Sequence, residues 1–297
     1  MHAPLLAALI VPLLGVAIDV HAARILVLQS SDAPRLAIAA RALQKHLDAP
    51  VEFVLLANTS ESAWQATLSA AERPAAIVAL GPRASDFIVH SPQPAPVVHC
   101  LAGHDALRAG LPSLPSEVPA DAQAAWLRKL IPAARTVGLA FDPAANTRRA
   151  EAIAAVLAAA GYRTLMAPVS HPSALPAALE QIATRADVLL ALPDPMVYTR
   201  ESARGILLQS FRRRTPVIGP NEHWVREGAL FAVDWDYEEV GATCARLLRD
   251  VQALRSPPSA IASAAPRPRV SVNLRIANQF GLQWNADVLR SVDLRHE

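Results

Sequence analysis

An aspartate that directly follows an apolar strand is the residue whose position most strongly suggests chemistry in this sequence. Val188–Leu192 is an unbroken apolar run, Pro193, Asp194 and Pro195 follow it, and a helix-like segment begins at Met196. A carboxylate at such a place caps a helix by accepting bonds from its first amides. In open parallel sheets it also lies where ligands bind. Two interpretations stay open: Asp194 only caps the Met196 helix, or it caps that helix and also contacts a ligand.

A second concentration of reactive side chains lies in the stretch HSPQPAPVVHCLAGHD. Imidazole and thiolate groups suit zinc or copper. Their spacing here matches no zinc motif, and neighbouring residues of a strand point to opposite faces. We therefore expect structural roles for these side chains, and neither a metal nor another cofactor. The candidates are His90, His99, Cys100, His104 and Asp105.

Motifs of catalysis and of nucleic-acid binding are missing from the sequence. It has no G-x-S-x-G elbow, P-loop, G-x-G-x-x-G, C-x-x-C or H-E-x-x-H. The net charge of +2 is too close to neutral for a nucleic-acid partner. The basic run Arg212–Arg214 falls at the end of a predicted helix, where cations complement the helix dipole. We expect a protein that binds no nucleic acid.

The first 22 residues have the form of a secretory signal peptide. Leu5–Ile18 is an apolar core, and Val20 and Ala22 stand at the positions that a signal peptidase reads. The core is shorter than the roughly 20 residues that cross a bilayer. We expect cleavage after Ala22 and a periplasmic location; a retained N-terminal anchor is the alternative.

Export would permit a disulfide bond, because the periplasm is oxidising. The two cysteines, Cys100 and Cys244, are far apart in sequence and lie among apolar neighbours. They either pair or serve as small core residues, and the sequence leaves this open.

Short apolar runs alternate with helix-like segments after Ala22, which is typical of parallel, doubly wound sheets. The first series of predicted strands is RILVLQ, VEFVLL, AAIVAL and APVVHCL. A turn-rich stretch, Ala109–Pro119, separates them from TVGLAF, YRTLMAP, DVLLAL, PVIG and ALFAVD, with RVSVNL as a late strand. Helices are predicted at Ser62–Glu72, Met196–Arg213 and Glu238–Leu254, among others.

The predicted fold class is α/β, with two doubly wound parallel-sheet lobes and a cleft between them. The first lobe comprises residues 24–118 plus 235–256, and the second comprises 119–234 plus 269–297. Residues 257–268 form a linker and residues 1–22 the signal peptide.

Ligands of such sheets bind beyond the carboxyl ends of the strands, near the N-termini of helices. A cleft between facing strand ends is the usual place for a small ligand. Tyr198 and Trp224 are either walls of that cleft or core aromatics, with core favoured for Trp224. The candidate ligand-binding residues are Ser30, Ser31, Gly81 and Arg83 in the first lobe and Asn146, Asp194, Tyr198, Asn221, Glu222 and Asp234 in the second.

The sequence resembles the ABC-transporter substrate-binding proteins of the tryptophan/tyrosine-type group. The resemblance rests on the Pro193–Asp194 pair after a strand, a W-V-x-x-G-A-L segment (Trp224–Leu230), a G-x-x-x-A helix (Gly241–Ala245) and an N-L-x-x-A-x-x-x-G-L tail (Asn273–Leu282). It covers the chain from about Ala186 onward and is weak before Pro119. The family's Asn-x-Thr-Gly segment between the lobes is missing, and its Gly-Thr after the third strand is Gly-Pro here.

This resemblance implies a type I periplasmic-binding-protein fold. It also implies a monomer without catalytic activity that carries a small polar, possibly amino-acid-like, solute to an ABC permease. A sensory or assembly protein with the same fold, coupled to a receptor instead, is the alternative. An exported enzyme that uses Asp194, Glu222 and Asp234 is a third interpretation, although paired acids need a defined separation.

Overall fold

The computed structural model describes residues 24–56, 60, 62, 65, 74–92, 95–253 and 266–297. The predicted signal peptide, most of the predicted linker and most of the predicted Ser62–Glu72 helix lie outside these residues. Within them, helices cover the faces of two largely parallel sheets, and the predicted α/β class is confirmed.

The first sheet is entirely parallel, and strands in its middle are buried on both faces. Its strands are β1 (Ile25–Gln29), β2 (Val51–Leu55), β3 (Ala76–Leu80), β4 (Val97–Ala102) and β5 (Ser113–Pro115). Their order is β2-β1-β3-β4-β5. Its helices are α1 (Pro34–Lys45), α2 (Pro82–Val89) and α3 (His104–Arg108). Because β3 is buried along its whole length, its sequence is continuously apolar rather than alternating.

The second sheet has seven strands, and two of them run against the others. The strands are β6 (Thr136–Phe141), β7 (Arg163–Pro168), β8 (Val188–Leu190), β9 (Val217–Gly219), β10 (Phe231–Trp235), β11 (Pro268–Asn273) and β12 (Leu294–His296). Their order is β12-β11-β10-β9-β8-β6-β7, with β11 antiparallel to β10 and β12 parallel to β11.

The helices of this half of the chain are α4 (Ala120–Leu130), α5 (Pro143–Ala159), α6 (Leu175–Arg185), α7 (Arg200–Arg213), α8 (Glu222–Glu227), α9 (Tyr237–Gln252), α10 (Leu274–Gln279) and α11 (Ala286–Arg290). A short 3-10 helix, Pro172–Ala174, precedes α6.

Helix α9 follows a strand of the second sheet but packs on the first, against α1 and β4. Gly241 makes this approach possible, because a Cβ atom there would lie 2.4 Å from the carbonyl oxygen of Ala39. Cys244 of α9 forms a disulfide bond with Cys100 of β4, across a Cα–Cα distance of 6.1 Å. The pairing that the sequence left open therefore exists, and it fastens α9 to the first sheet.

Two local predictions about secondary structure are wrong. The stretch Ala109–Pro119, predicted to consist of turns, contains β5, which pairs in parallel with β4. The helix predicted from Met196 begins at Arg200. Thr199 caps it in a capping box with Ser202, and Asp194 caps the short turn before it.

His99 is a buried histidine in the core of the first sheet. It is 2% exposed, and its Nδ1 atom lies 3.1 Å from the Ser85 hydroxyl. Burial lowers the pKa of His99 from 6.5 to about 4, since the imidazolium ion would lose its water. The cluster of metal-capable residues is thus divided, because Cys100 is in the disulfide bond and His90 lies at the surface beside Asp105.

We predict that acid destabilises the protein through His99. In the unfolded chain this residue takes up a proton below pH 6.5, whereas in the folded protein it stays neutral to about pH 4. The free energy of unfolding is therefore unaffected by His99 at neutral pH and falls by about 2–3 kcal/mol as the pH is lowered from 6.5 towards 4.5. Urea unfolding at a series of pH values measures this loss.

The His99→Gln variant should show a flatter pH dependence over the same window. His90→Gln is the matched control, because the His90 side chain is 70% exposed, and it should follow the wild type. A wild-type-like acid loss in His99→Gln would assign the effect to other groups.

Candidate functional site

Asp194 lies at the centre of the strand ends of the second sheet. It is 5% exposed, and the protein itself supplies four donors to its carboxylate. Oδ1 accepts from the amides of Met196 (2.9 Å) and Val197 (2.8 Å). Oδ2 accepts from the Asp142 amide (2.8 Å) and from the Asn146 Nδ2 atom (2.7 Å).

The sheet order explains why these residues meet. β6 and β8 are parallel neighbours, so Asp142, which follows β6, and Asp194, which follows β8, emerge at the same edge. Asp142 caps α5 through the Ala144 amide, and Asn146 lies in the first turn of that helix. Burial opposes ionisation of Asp194, but the bonds from Asp142, Val197, Asn146 and Met196 outweigh it and lower its pKa. Asp194 is therefore an ionised cross-link between two strand-end loops.

Arg149 extends this cross-link towards the segment that joins the two sheets. Its guanidinium donates to the Pro193 carbonyl (2.8 Å) and pairs with Glu117, which follows β5. Burial lowers the pKa of Arg149 to about 10, an effect that nearby Asp194 opposes and Arg35 reinforces. Arg149 is thus still a cation at neutral pH, and it ties the β8 loop to the crossing at Glu117.

A narrow cavity of about 40 Å³ lies where the strand ends of the second sheet face α1. Arg35 of α1 reaches it from the first sheet and Asp234 of β10 from the second, and Tyr237 at the start of α9 also lines it. The Tyr237 hydroxyl donates to the Asp234 Oδ1 atom at 2.8 Å. Burial raises the pKa of Asp234, while the bond from Tyr237 and the charge of Arg35 act in the opposite direction. Arg35, Asp234 and Tyr237 form one polar network across the cleft.

Of the candidate ligand-binding residues in the first sheet, two hold a loop in place and two have accessible side chains. The Ser30 hydroxyl is buried and accepts from the Ala84 amide at 2.9 Å, so it caps α2. Gly81 has a φ of +98°, and a Cβ atom there would lie 2.5 Å from the Ser30 hydroxyl oxygen. Both residues hold the loop in place. Ser31 is half-buried and Arg83 is exposed, so their side chains remain accessible at this edge.

The remaining second-sheet candidates lie around the cleft edge or away from it. Asn221 caps α8 through the Trp224 amide (3.3 Å). Glu222 pairs with Arg226 (3.5 Å) and lines, with Asp234, a neighbouring cavity of about 240 Å³. Tyr198 packs edge to face on Trp224 with a centroid distance of 5.8 Å and borders a groove on the outer face of the second sheet. Of the two interpretations of Tyr198, the core aromatic fits this placement better, because the ring is half-buried and packs against the hydrophobic core.

Sequence reasoning missed Arg35, Tyr237, Arg149 and Glu117. A signal existed for Arg35, since it occupies the first turn of the helix that follows β1, where ligand-binding residues concentrate. The other three reach the cleft from helix faces or from the crossing segment, and no strand-end rule finds such positions.

The family model described as "ABC transporter substrate binding protein" matches residues 56–294 of the chain. That match spans well over half of the sequence. The chain belongs to the ABC transporter substrate-binding protein family. No curated protein sequence matches it.

Solved structures of similar proteins show the fold of this substrate-binding protein. An ABC domain in complex with L-Trp from Streptococcus pneumoniae has a TM-score of 0.64 at 16% identity, covering 92% of this chain and 99% of the other. The ligand-free, open form of a substrate-binding protein with adhesive properties from Clostridium difficile has a TM-score of 0.72 at 16% identity and the same coverage. A conserved domain protein from Vibrio cholerae has a TM-score of 0.66 at 19% identity, again over 92% and 99%.

Among the described residues, no helix of this substrate-binding protein has the length and apolarity needed to cross a membrane. The predicted fold class and family resemblance are thus both confirmed, whereas the roles of the individual site residues stay predictions.

We predict that Asp194→Asn destabilises the substrate-binding protein by about 1–3 kcal/mol, because the new amide group would face two donors where an acceptor is required. Those donors are the Asp142 amide and the Asn146 Nδ2 atom. Thermal and urea unfolding measure the effect. The matched control is Asp142→Asn, which keeps an oxygen for its one capping bond and should change stability by only a few tenths of a kcal/mol.

An Asp194→Asn variant as stable as the control would mean that the bonds from the Asp142 amide and the Asn146 Nδ2 atom contribute nothing net to stability. The description of Asp194 as a stabilising cross-link would then be wrong.

Proposed function

We propose that this protein is exported to the periplasm, captures a small polar solute between its two lobes and presents it to an ABC permease. Membership of the substrate-binding protein family supports the binding of a solute. The observation that supports this site is the network of Arg35, Asp234 and Tyr237, in which a cation and an acid line one cavity.

A solute with a carboxylate and an ammonium group fits these charges. Arg35 offers a guanidinium to the carboxylate, and Asp234 offers an oxygen to the ammonium; each such bond is charge-assisted. A relative of the same fold that holds L-Trp supports an amino-acid-like solute. Ser31 and Arg83 complete the first-lobe side, and Glu222 lies at the far edge of the second.

Three carboxamide and carboxylate groups of the site serve a different purpose. Asp194 and Asn221 accept from backbone amides, and Asn146 donates to the Asp194 carboxylate, so their task is to hold the strand-end loops at a fixed geometry. Asp194 is fully engaged in this way, which disfavours an acid–base pair built from it. We therefore propose binding without catalysis, by a monomer that requires no cofactor and no nucleic acid.

The cavity of about 40 Å³ is too small for an amino acid, because ligand pockets for small molecules measure about 300–1,000 Å³. Capture therefore requires the lobes to separate and then close on the solute by hinge motion. We propose that residues 24–118 plus 235–256 and residues 119–234 plus 269–297 move as the two bodies, bending near Pro119, near Asp234 and near Pro266.

Export is supported by the disulfide bond between Cys100 and Cys244, since such bonds persist in oxidising compartments. The mature protein purified from the periplasm should begin at Ala23. Native mass spectrometry of that protein should reveal a co-purified small molecule, and small-angle scattering should show a smaller radius of gyration with the molecule than without it. An unchanged radius at saturation would favour a rigid protein coupled to a receptor.

We predict that Arg35→Ala weakens binding of the co-purified solute about ten- to a hundredfold, the equivalent of one or two charge-assisted bonds. Titration calorimetry on the ligand-stripped protein measures the affinity. Arg41→Ala is the matched control, because Arg41 is another exposed arginine of α1 that does not line the cavity. Asp234→Asn should weaken binding to a similar extent.

Equal affinities in the wild type, Arg35→Ala and Asp234→Asn would remove this cleft as the solute site. Loss of affinity in Arg41→Ala as well would point to a general charge effect of α1.

A further inference from the structure

The outer face of the second sheet carries a groove that is separate from the cleft. It has a volume of about 760 Å³ and lies between α7 on one side and α8 and α10 on the other. That volume is within the range of small-molecule sites, about 300–1,000 Å³. Trp224, Leu207 and Ile276 are among its apolar lining residues.

Apolar side chains are unusually exposed on the α7 wall. The described part of the chain has four exposed large hydrophobic residues, and two of them, Leu208 (46%) and Phe211 (49%), lie on this wall. Their spacing places both on one face of α7. A clustered exposed apolar surface of this kind marks an interaction site more often than a scattered one.

The polar groups of the groove are mainly cationic. Arg200 and Arg204 of α7 and Arg275 of α10 line it. Within the described residues these three guanidinium groups form no ion pair, whereas Arg213 and Arg226, outside the lining, pair with Glu180 and Glu222. His223 also lines the groove, and Glu227 is the acidic lining residue. An anionic occupant therefore complements the charge of the groove.

The shape favours a short occupant over a helix of a partner protein. The rings of Phe211 and Phe280 meet edge to face with a centroid distance of 6.5 Å. This contact joins the α7 wall to the α10 wall, so a helix cannot run through the groove along its length. A single apolar tail against the rings, with its charged head at the arginines, fits without moving either wall.

We propose that this groove binds a free anionic amphiphile, a molecule with one apolar tail and one carboxylate or similar head group. The site is independent of the cleft and of the solute that the cleft captures. Its tail region is formed by Leu207, Leu208, Phe211 and Phe280, and its head-group region by Arg204 and Arg275.

The test uses the mature full chain and two probes with the same tail, dodecanoate and dodecyltrimethylammonium, each below its micelle concentration. Calorimetric titration should show one site for dodecanoate and at least about tenfold weaker binding of the cationic probe, because a charge-assisted contact is replaced by repulsion. Equal binding of the two probes would overturn the proposal.

Matched variants locate the site. Arg204→Glu and Leu208→Asp should each weaken dodecanoate binding about tenfold or more. Arg212→Glu and Leu107→Asp change equally exposed residues outside the groove and should bind like the wild type. All four positions are exposed, so melting curves should confirm folding. Unchanged affinity in Leu208→Asp and Arg204→Glu would place the amphiphile elsewhere and overturn the assignment.

Two further experiments distinguish binding in the groove from binding in the cleft and from contact with a membrane surface. Arg35→Ala should leave dodecanoate binding intact, and a loss there would mean that dodecanoate enters the cleft, which contradicts the proposal. Co-sedimentation with phosphatidylglycerol vesicles tests a membrane surface. Vesicle binding that depends on Arg204 and Leu208, without binding of free dodecanoate, would replace the proposal by a membrane contact.

Discussion

Both oxygens of the Asp194 carboxylate are filled by donors of the protein itself, and the cleft edge of the second sheet is organised around them. The loops after β6 and β8 would otherwise leave amides without partners at a buried place, which is costly. One ionised side chain satisfies four donors from two loops and sets their spacing. The β8 loop, whose Pro193 lines the cavity, is fixed by this cross-link.

The opposite side of the cleft depends on helix α9. This helix leaves β10 at the cleft, carries Tyr237 at its first turn and then packs on the first sheet, where the bond between Cys100 and Cys244 holds it. Gly241 lets α9 approach α1 at backbone distance. The position of Tyr237, and through it the hydrogen bond to Asp234, is therefore set by packing that lies well away from the cleft. Arg35 on α1 is fixed by the same contact between helices.

The fold is shared with solved structures of low sequence identity, and the loop after the third strand of this chain differs locally from the group that its sequence resembles. Gly81 is followed by a proline instead of a threonine, and its positive φ of +98° brings its backbone close to the Ser30 hydroxyl, where only glycine fits. The Ser30 hydroxyl is thus occupied by the Ala84 amide, whereas Arg35 lines the cavity at the strand ends of the second sheet. The outer groove between α7 and α10 uses none of these residues, so the two surfaces can vary independently.

The sequence by itself determined the elements and the edge at which polar groups collect. Alternating apolar runs and helix-like segments predicted parallel sheets, and the rule for strand ends brought Asn146 and Asp194 to one edge, as observed. These features follow from local periodicity, which short stretches of chain contain, and from the common direction of parallel strands.

Only the tertiary structure decided which distant residues meet. It paired Cys100 with Cys244, packed Tyr198 against Trp224, and brought Arg35 to Asp234 and Tyr237. Each of these outcomes depends on how α9 and the two sheets pack, which is a sum of many weak contacts between residues far apart in sequence. The periodicity of a single stretch carries no information about these contacts. The sequence can therefore locate a candidate residue at a strand end, but it cannot tell whether that residue is a cap, a cross-link or a free ligand contact.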